Sequence, residues 1–238
     1  MAALSFSLTA AEAASQIGKV VAVAGSPSAS GPGGDRKLKE GSAVFEDDKV
    51  TVGAIGNAQI VLNDNTRLVV GPSSSLLLDR FVMKGGSSAQ KVSIKTLRGT
   101  FRFITGRSAK SAYDISTSSA TIGIRGTGFD FWDKRVSGVA VMTGLVKLCD
   151  KGKCVELADT CEVGQAGRGS AKEFVGADAG RVVVNNLPYI LDQSPLRSQF
   201  HLQTNKCRNS ISKYGQFGQN NRGFRDPARQ QRQRYNPD

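Results

Sequence analysis

Histidine is nearly missing from this 238-residue chain: His201 is the single copy, and tryptophan is equally scarce. One imidazole, set between Phe200 and Leu202 and far from any G-x-S-x-G elbow, reads as a partly packed surface residue and removes most His-based catalysis. The four cysteines contain no C-x2-C knuckle, so the spacing C-x4-C-x6-C is a poor zinc site. No stretch approaches the roughly 18 apolar residues that a membrane-spanning helix needs. The Gly/Ser/Pro loop from Ala24 to Arg36 lacks the lysine and following Ser or Thr of a phosphate-binding loop. Candidate paired carboxylates of the kind that cleave glycosides are Glu46, Asp47 and Asp48, and Asp130 and Asp133, but acidic neighbours in turns are ordinarily solvated. No poised nucleophile, base or metal set remains, and the expectation is a non-enzymatic protein with neither metal nor cofactor.

What the chain does have is glycine, 27 residues, and a net charge of +12. The charge is unevenly spread. Residues 206–238 hold eight Lys or Arg against two Asp, so +6 falls on the last 33 residues. That Gln/Asn/Arg/Gly-rich segment cannot bury enough apolar surface to offset its ordering entropy and is expected to be a disordered basic tail. Arg222, Arg225, Arg229, Arg232 and Arg234 could hold an anionic polymer such as lipopolysaccharide, cell-wall acid groups or membrane lipid. With Phe224 and Tyr235 interleaved they could also track nucleic acid, but export would remove that substrate, so nucleic acid is an unlikely partner.

Residues 1–13 end in Ala11-Glu12-Ala13, a small-residue pattern of the kind cut by signal peptidase, and read as the remnant of a signal peptide whose start lies upstream. The cysteines agree with a periplasmic or otherwise exported location. Cys149 and Cys154 flank Asp150-Lys151-Gly152-Lys153, where two alternating strands around a turn would set them opposite each other. Cys161 and Cys207 are left to pair, closing a loop worth about 4 kcal/mol in the chain-entropy model. Sequence alone leaves all three connectivities open, but disulfides in an oxidising compartment are favoured.

From Ile17 to about Val163, runs of five to seven residues with apolar side chains at alternate positions are separated by Gly, Asn, Asp or Ser. This is the pattern of an all-β domain, one face of each strand buried and the other wet. Asn63-Asp64-Asn65 reads as a hairpin turn rather than a calcium loop, because Asn and Asp tolerate left-handed angles. Ser194-Pro195 reads as the start of the one short helix, within a C-terminal extension of residues 177–205.

The most distinctive stretch, Thr121 to Phe131, carries Gly123, Gly126 and Gly128 among strand residues. It predicts a bulge or crossing with Arg125 anchored where the strand turns; a dinucleotide loop would have a different spacing and lead into a helix. Other pieces occur in order: Gly18-Lys19-Val20, Leu38 to Gly41, Asp48 to Gly53, Ala58 to Thr66, Leu76 to Leu78, Arg98-Gly99-Thr100, Gly123 to Thr127, and Met142 to Val146. Together they resemble the FecR-domain family over roughly residues 17–165, and set the β-domain at residues 14–176. The resemblance implies a β-solenoid-like roll or two-sheet sandwich that contacts a protein or polysaccharide, or senses a ligand, at the cell envelope. The transmembrane helix and cytoplasmic sigma-factor segment of full FecR regulators are absent, so anti-sigma activity is not implied. Tyr113, Phe131 and Trp132 stand as aromatics that could stack on sugars, and Tyr113, Trp132 and Arg125 are the candidate binding residues. An envelope scaffold whose tail binds anionic polymers is the alternative.

Overall fold

A computed structural model describes residues 15–215. The strands are β1 Gln16–Ala24, β2 Ser28–Ser30, β3 Arg36–Lys37, β4 Ala43–Phe45, β5 Lys49–Thr51, β6 Asn57–Leu62, β7 Arg67–Val70, β8 Ser75–Gly85, β9 Ser88–Ile104, β10 Tyr113–Ser116, β11 Thr121–Asp133, β12 Ser137–Asp150, β13 Lys153–Leu157, β14 Val163–Gly167 and β15 Ser170–Phe174. Three helices follow: α1 Gly176–Asn186, α2 Pro188–Leu191 and α3 Asn205–Gly215. The all-β class and the repeated short strands are as the sequence pattern predicts.

All fifteen strands belong to one hydrogen-bonded mixed sheet, which makes two layers because its three longest strands each serve in both. The first half of β9 pairs with β8 and, in parallel, with β10; its second half pairs with β7 and β11. Likewise β11 and β12 run together along their length, while the ends of β12 part company, one joining β13 and the other β14. Strands that switch layers need a bend. In β9 it falls at Gly99, whose φ is +117° and where a Cβ would overlap Ser74. In β11 and β12 it falls at Gly126 and Gly144, which back onto each other: a Cβ on Gly144, at φ +80°, would strike the Gly126 carbonyl. The predicted bulge is there, as register shifts between Arg125 and Phe129.

Between the layers lies one cluster of buried side chains running from Ile17 to Ala166, with Phe101, Phe103, Phe129 and Phe131 at its centre. Phe101 and Phe131 stack at 5.0 Å between centroids. The Asn63–Asn65 turn forms as expected, with Asn65 at φ +68°.

The C-terminal extension departs from expectation. No helix starts at Ser194-Pro195; only a short 3-10 turn forms at Ser198–Phe200, and the helices lie at α1, α2 and α3. The sheet itself overrides the helix signal. Gln59 donates to the Pro195 carbonyl at 3.0 Å and accepts the Arg197 N–H at 2.8 Å, while Asp192 takes the Ser194 N–H at 2.9 Å. With its backbone groups so engaged, the segment runs as a strap. Pro188 does open a helix, at the first position where its missing N–H costs nothing. The tail expected to be disordered from residue 206 instead begins inside α3, anchored by buried Cys207 and by Ile211 against the same apolar cluster. Residues 1–13 and the tail arginines 222, 225, 229, 232 and 234 lie outside the described residues.

Replacing Gly144 with Ala is expected to lower stability by about 2–4 kcal/mol, through both left-handed strain and the carbonyl overlap. Gly53, where a Cβ meets nothing within 4 Å, should accept Ala nearly neutrally. Urea denaturation of the two variants checks this.

Candidate binding surface

The two outer faces of the sheet differ in kind. On the layer built from β7 and the halves of β9, β11 and β12 nearest it, the outward side chains are not wet. Trp132, Ala140, Met142 and Val163 pack beneath α1, α2 and α3, against Val183, Leu187, Ile190 and Cys207. Val69 packs with Tyr189, Leu196 and Phe200 of the strap. Buried among them are Arg102 and Asp130, register partners on β9 and β11, at 0% and 1% side-chain exposure.

All five N–H donors of Arg102 find acceptors. Nε and Nη2 grip the two Asp130 oxygens at 2.6 and 2.8 Å. Nη2 also donates to the Tyr189 carbonyl, and Nη1 to the Phe200 carbonyl, both at 3.0 Å; the Gln193 side-chain oxygen takes the remaining Nη1 proton. Gln193 is held in turn by the Leu202 backbone, accepting its N–H at 2.8 Å and donating to its carbonyl at 3.0 Å. Arg67 adds a bond to the Gln199 carbonyl. The sheet thus grips the strap mainly by its backbone.

On the other layer no element among the described residues covers the outer face. Along β9, β10, β11, β12 and β13 it exposes Lys95, Leu97, Asp114, Thr121, Gly123, Arg125, Lys147 and Glu156. Lys95 pairs with Asp79 at 2.6 Å and holds its carboxyl below the ordinary range; Lys91 pairs with Asp114 at 2.9 Å. Arg125, by contrast, has no hydrogen bond or ion pair among the described residues. It stands at the corner where β11 changes layer, but exposed rather than anchored, and Lys110 lies beside the same corner over Gly126.

Residues 48–147 match the family model described as FecR protein. Over that stretch the chain is similar to FecR domains. No curated protein matches the chain. Among solved structures, two crystal structures of a candidate anti-sigma factor from Parabacteroides distasonis ATCC 8503 are similar, at 16% and 17% identity and TM-scores of 0.45 and 0.44. Each covers 57% of this chain, and the chain spans 62% and 63% of theirs, less than two thirds.

Within that stretch, the aromatics named from sequence are not exposed. Phe131 and Trp132 are both 2% exposed. The segment Phe129 to Asp133 is buried on both sides, because the strap and helices cover the face that strand alternation assigns to water. Tyr113 faces the core, edge-on to Phe103, and its hydroxyl donates to Asp64 at 3.0 Å and accepts the Gly106 N–H at 2.9 Å. Sugar stacking on these rings is therefore corrected, and Arg125 alone of the three candidates reaches solvent.

Of the acidic candidates, Asp47 is exposed, and Glu46, Asp48 and Asp133 serve local networks, as does Asp64. Asp48 binds Arg36 and accepts the Phe45 N–H at 2.7 Å, and Glu46 accepts the Phe81 N–H at 2.8 Å. Asp64 collects the hydroxyls of Thr66, Ser108 and Tyr113. Asp133 collects those of Thr96, Ser118 and Ser137. His201 is exposed, one ring nitrogen 3.0 Å from the Leu196 carbonyl. The cysteines join as Cys149–Cys154 and Cys161–Cys207, with Cα atoms 4.1 and 5.0 Å apart.

Sequence reading misses Arg102 and Gln193. An arginine between Phe101 and Phe103 reads as the wet side of a strand, and only its pairing with Asp130, 28 residues on, could have marked it as buried.

Arg102→Leu should cost about 3–5 kcal/mol by stranding the Asp130 carboxylate, while the double variant with Asp130→Leu recovers part of that loss. Hydrogen exchange across 189–204 should accelerate in the single variant. A second expectation concerns alkaline pH. Burial raises the Tyr113 pKa, opposed by the Thr66 bond and reinforced by the Asp64 charge; burial likewise raises that of Tyr189, whose hydroxyl has no partner among the described residues. Above about pH 10 the unfolded chain loses protons that the folded chain keeps, so their contribution is intact below pH 10 and is lost as pH rises. Urea melts between pH 9 and 11 should show falling stability, with a shallower slope in Tyr113→Phe.

Proposed function

We propose that this chain is an exported, non-enzymatic binding or signalling module of the FecR-domain type, whose uncovered sheet face meets a protein or polysaccharide partner at the cell envelope. The observation that carries this reading is the sidedness of the FecR domain: one outer face is sealed by the chain's own C-terminal segment, and the other is left open. Arg125, Lys110 and Lys147 give the open face exposed cations near a flat row of Thr121 and Gly123, suited to hydroxyl or carboxylate groups. Two disulfides support an oxidising compartment. The FecR resemblance supports protein contact or ligand sensing.

The alternative, an envelope scaffold with a polyanion-binding tail, is favoured by the +6 carried on residues 206–238. The two separate in one experiment. Capture from envelope extracts should survive truncation after Gly215, which keeps Cys207, and should fall at least about tenfold in Arg125→Glu/Lys147→Glu. Salt-sensitive capture that vanishes on truncation and ignores the double substitution would instead establish the scaffold. For export, the protein recovered from a periplasmic fraction should begin near Ala14 and carry no free thiol.

A further inference from the structure

The two disulfides differ in their surroundings. Cys207 is 0% exposed, its sulfur 3.7 Å from that of Met142, within the apolar cluster that fixes α3 to the sheet, and its partner Cys161 is half-buried against the same cluster. Cys149 and Cys154 are instead directly opposed register partners next to the turn of the β12–β13 hairpin, Cys149 half-buried and Cys154 exposed. The turn between them holds exposed Lys151. Asp150 and Lys153, register partners, lie on the opposite face of the hairpin, where Asp150 accepts the Gly169 N–H at 2.6 Å, whereas Lys147 and Glu156 share the face of the cysteines. A thiolate formed here would have Lys147 and Lys151 near it against Glu156 alone, which favours the thiolate and so a good leaving group.

Nothing in the fold hangs on this bridge. The hairpin is also paired at Val146–Leu157, Lys147–Glu156 and Leu148–Val155, with Leu148 and Leu157 buried at its root, and β12 is held along its other edge by β11.

We propose that Cys149–Cys154 is a thiol–disulfide exchange site, opened by an external thiol, while Cys161–Cys207 is a closed structural bridge. A thiolate attacks the exposed Cys154 sulfur; the Cys149–Cys154 bond breaks, and its electron pair leaves on Cys149. A second external thiolate attacks the thiol-derived sulfur of the mixed disulfide and releases Cys154. Two external thiols are oxidised to their disulfide, and two protein thiols are formed.

The test titrates the full-length protein with reduced glutathione in one arm and dithiothreitol in the other, then alkylates and maps the labelled cysteines by mass. Cys149 and Cys154 should be labelled at thiol concentrations at least about tenfold below those that open Cys161–Cys207, with the far-ultraviolet dichroism unchanged. In the glutathione arm the trapped mixed disulfide should lie on Cys154. Lys147→Gln/Lys151→Gln should slow opening about two- to fivefold. A Cys149→Ser/Cys154→Ser variant should fold with Cys161–Cys207 intact. Simultaneous opening of both bridges, later opening of the exposed one, or loss of β dichroism on its opening would overturn the assignment.

Discussion

A guanidinium taken wholly out of water costs several kcal/mol unless its protons are all received, and Arg102 is so placed. Asp130 receives two of the five, from the neighbouring strand; the other three go to Tyr189 of α2 and to Gln193 and Phe200 of the strap. The sheet therefore cannot leave Arg102 dry without the strap, and the strap cannot satisfy those carbonyls and Gln193 without Arg102. This mutual requirement decides which face of the sheet is closed, and the apolar packing of Trp132, Met142 and Phe200 follows the same boundary.

The layer-switching strands give the domain its second asymmetry. Because β9, β11 and β12 each bend at a glycine, a single strand carries residues of the sealed face at one end and of the open face at the other. Asp130 and Arg125 lie on the same strand, five residues apart, yet one is buried in an ion pair and the other reaches solvent. The open face and the sealed one are thus joined through the Gly126 and Gly144 corner.

Much of this was legible in the residues. Alternation predicted the strands, the Gly123-to-Gly128 run predicted the crossing, and the turn between Cys149 and Cys154 predicted their opposition. What escaped had one physical cause. Alternation reports whether a strand has two unlike faces, but not what covers the second face. Trp132 and Arg102 sit on positions that the period assigns to water, and a segment remote in sequence takes the water's place. The same long-range contact defeated the helix signal at Ser194-Pro195, where Gln59 competes for the backbone, and extended order into residues 206–215 through Cys207. Tyr113 was misplaced for a more local reason: its ring faces the core while its hydroxyl finds Asp64, so a polar tip concealed a buried position.

The strap also fixes an order of events. Chains are made from residue 1 onward, so β9 and β11 exist before residues 189–207 do. A sheet formed before residues 189–207 dock would leave Val69, Trp132 and Met142 as a naked apolar patch and Arg102 with only Asp130 to answer it. A second copy in the same condition would be its most dangerous neighbour. The last described stretch of the chain is therefore the piece that ends the molecule's immaturity.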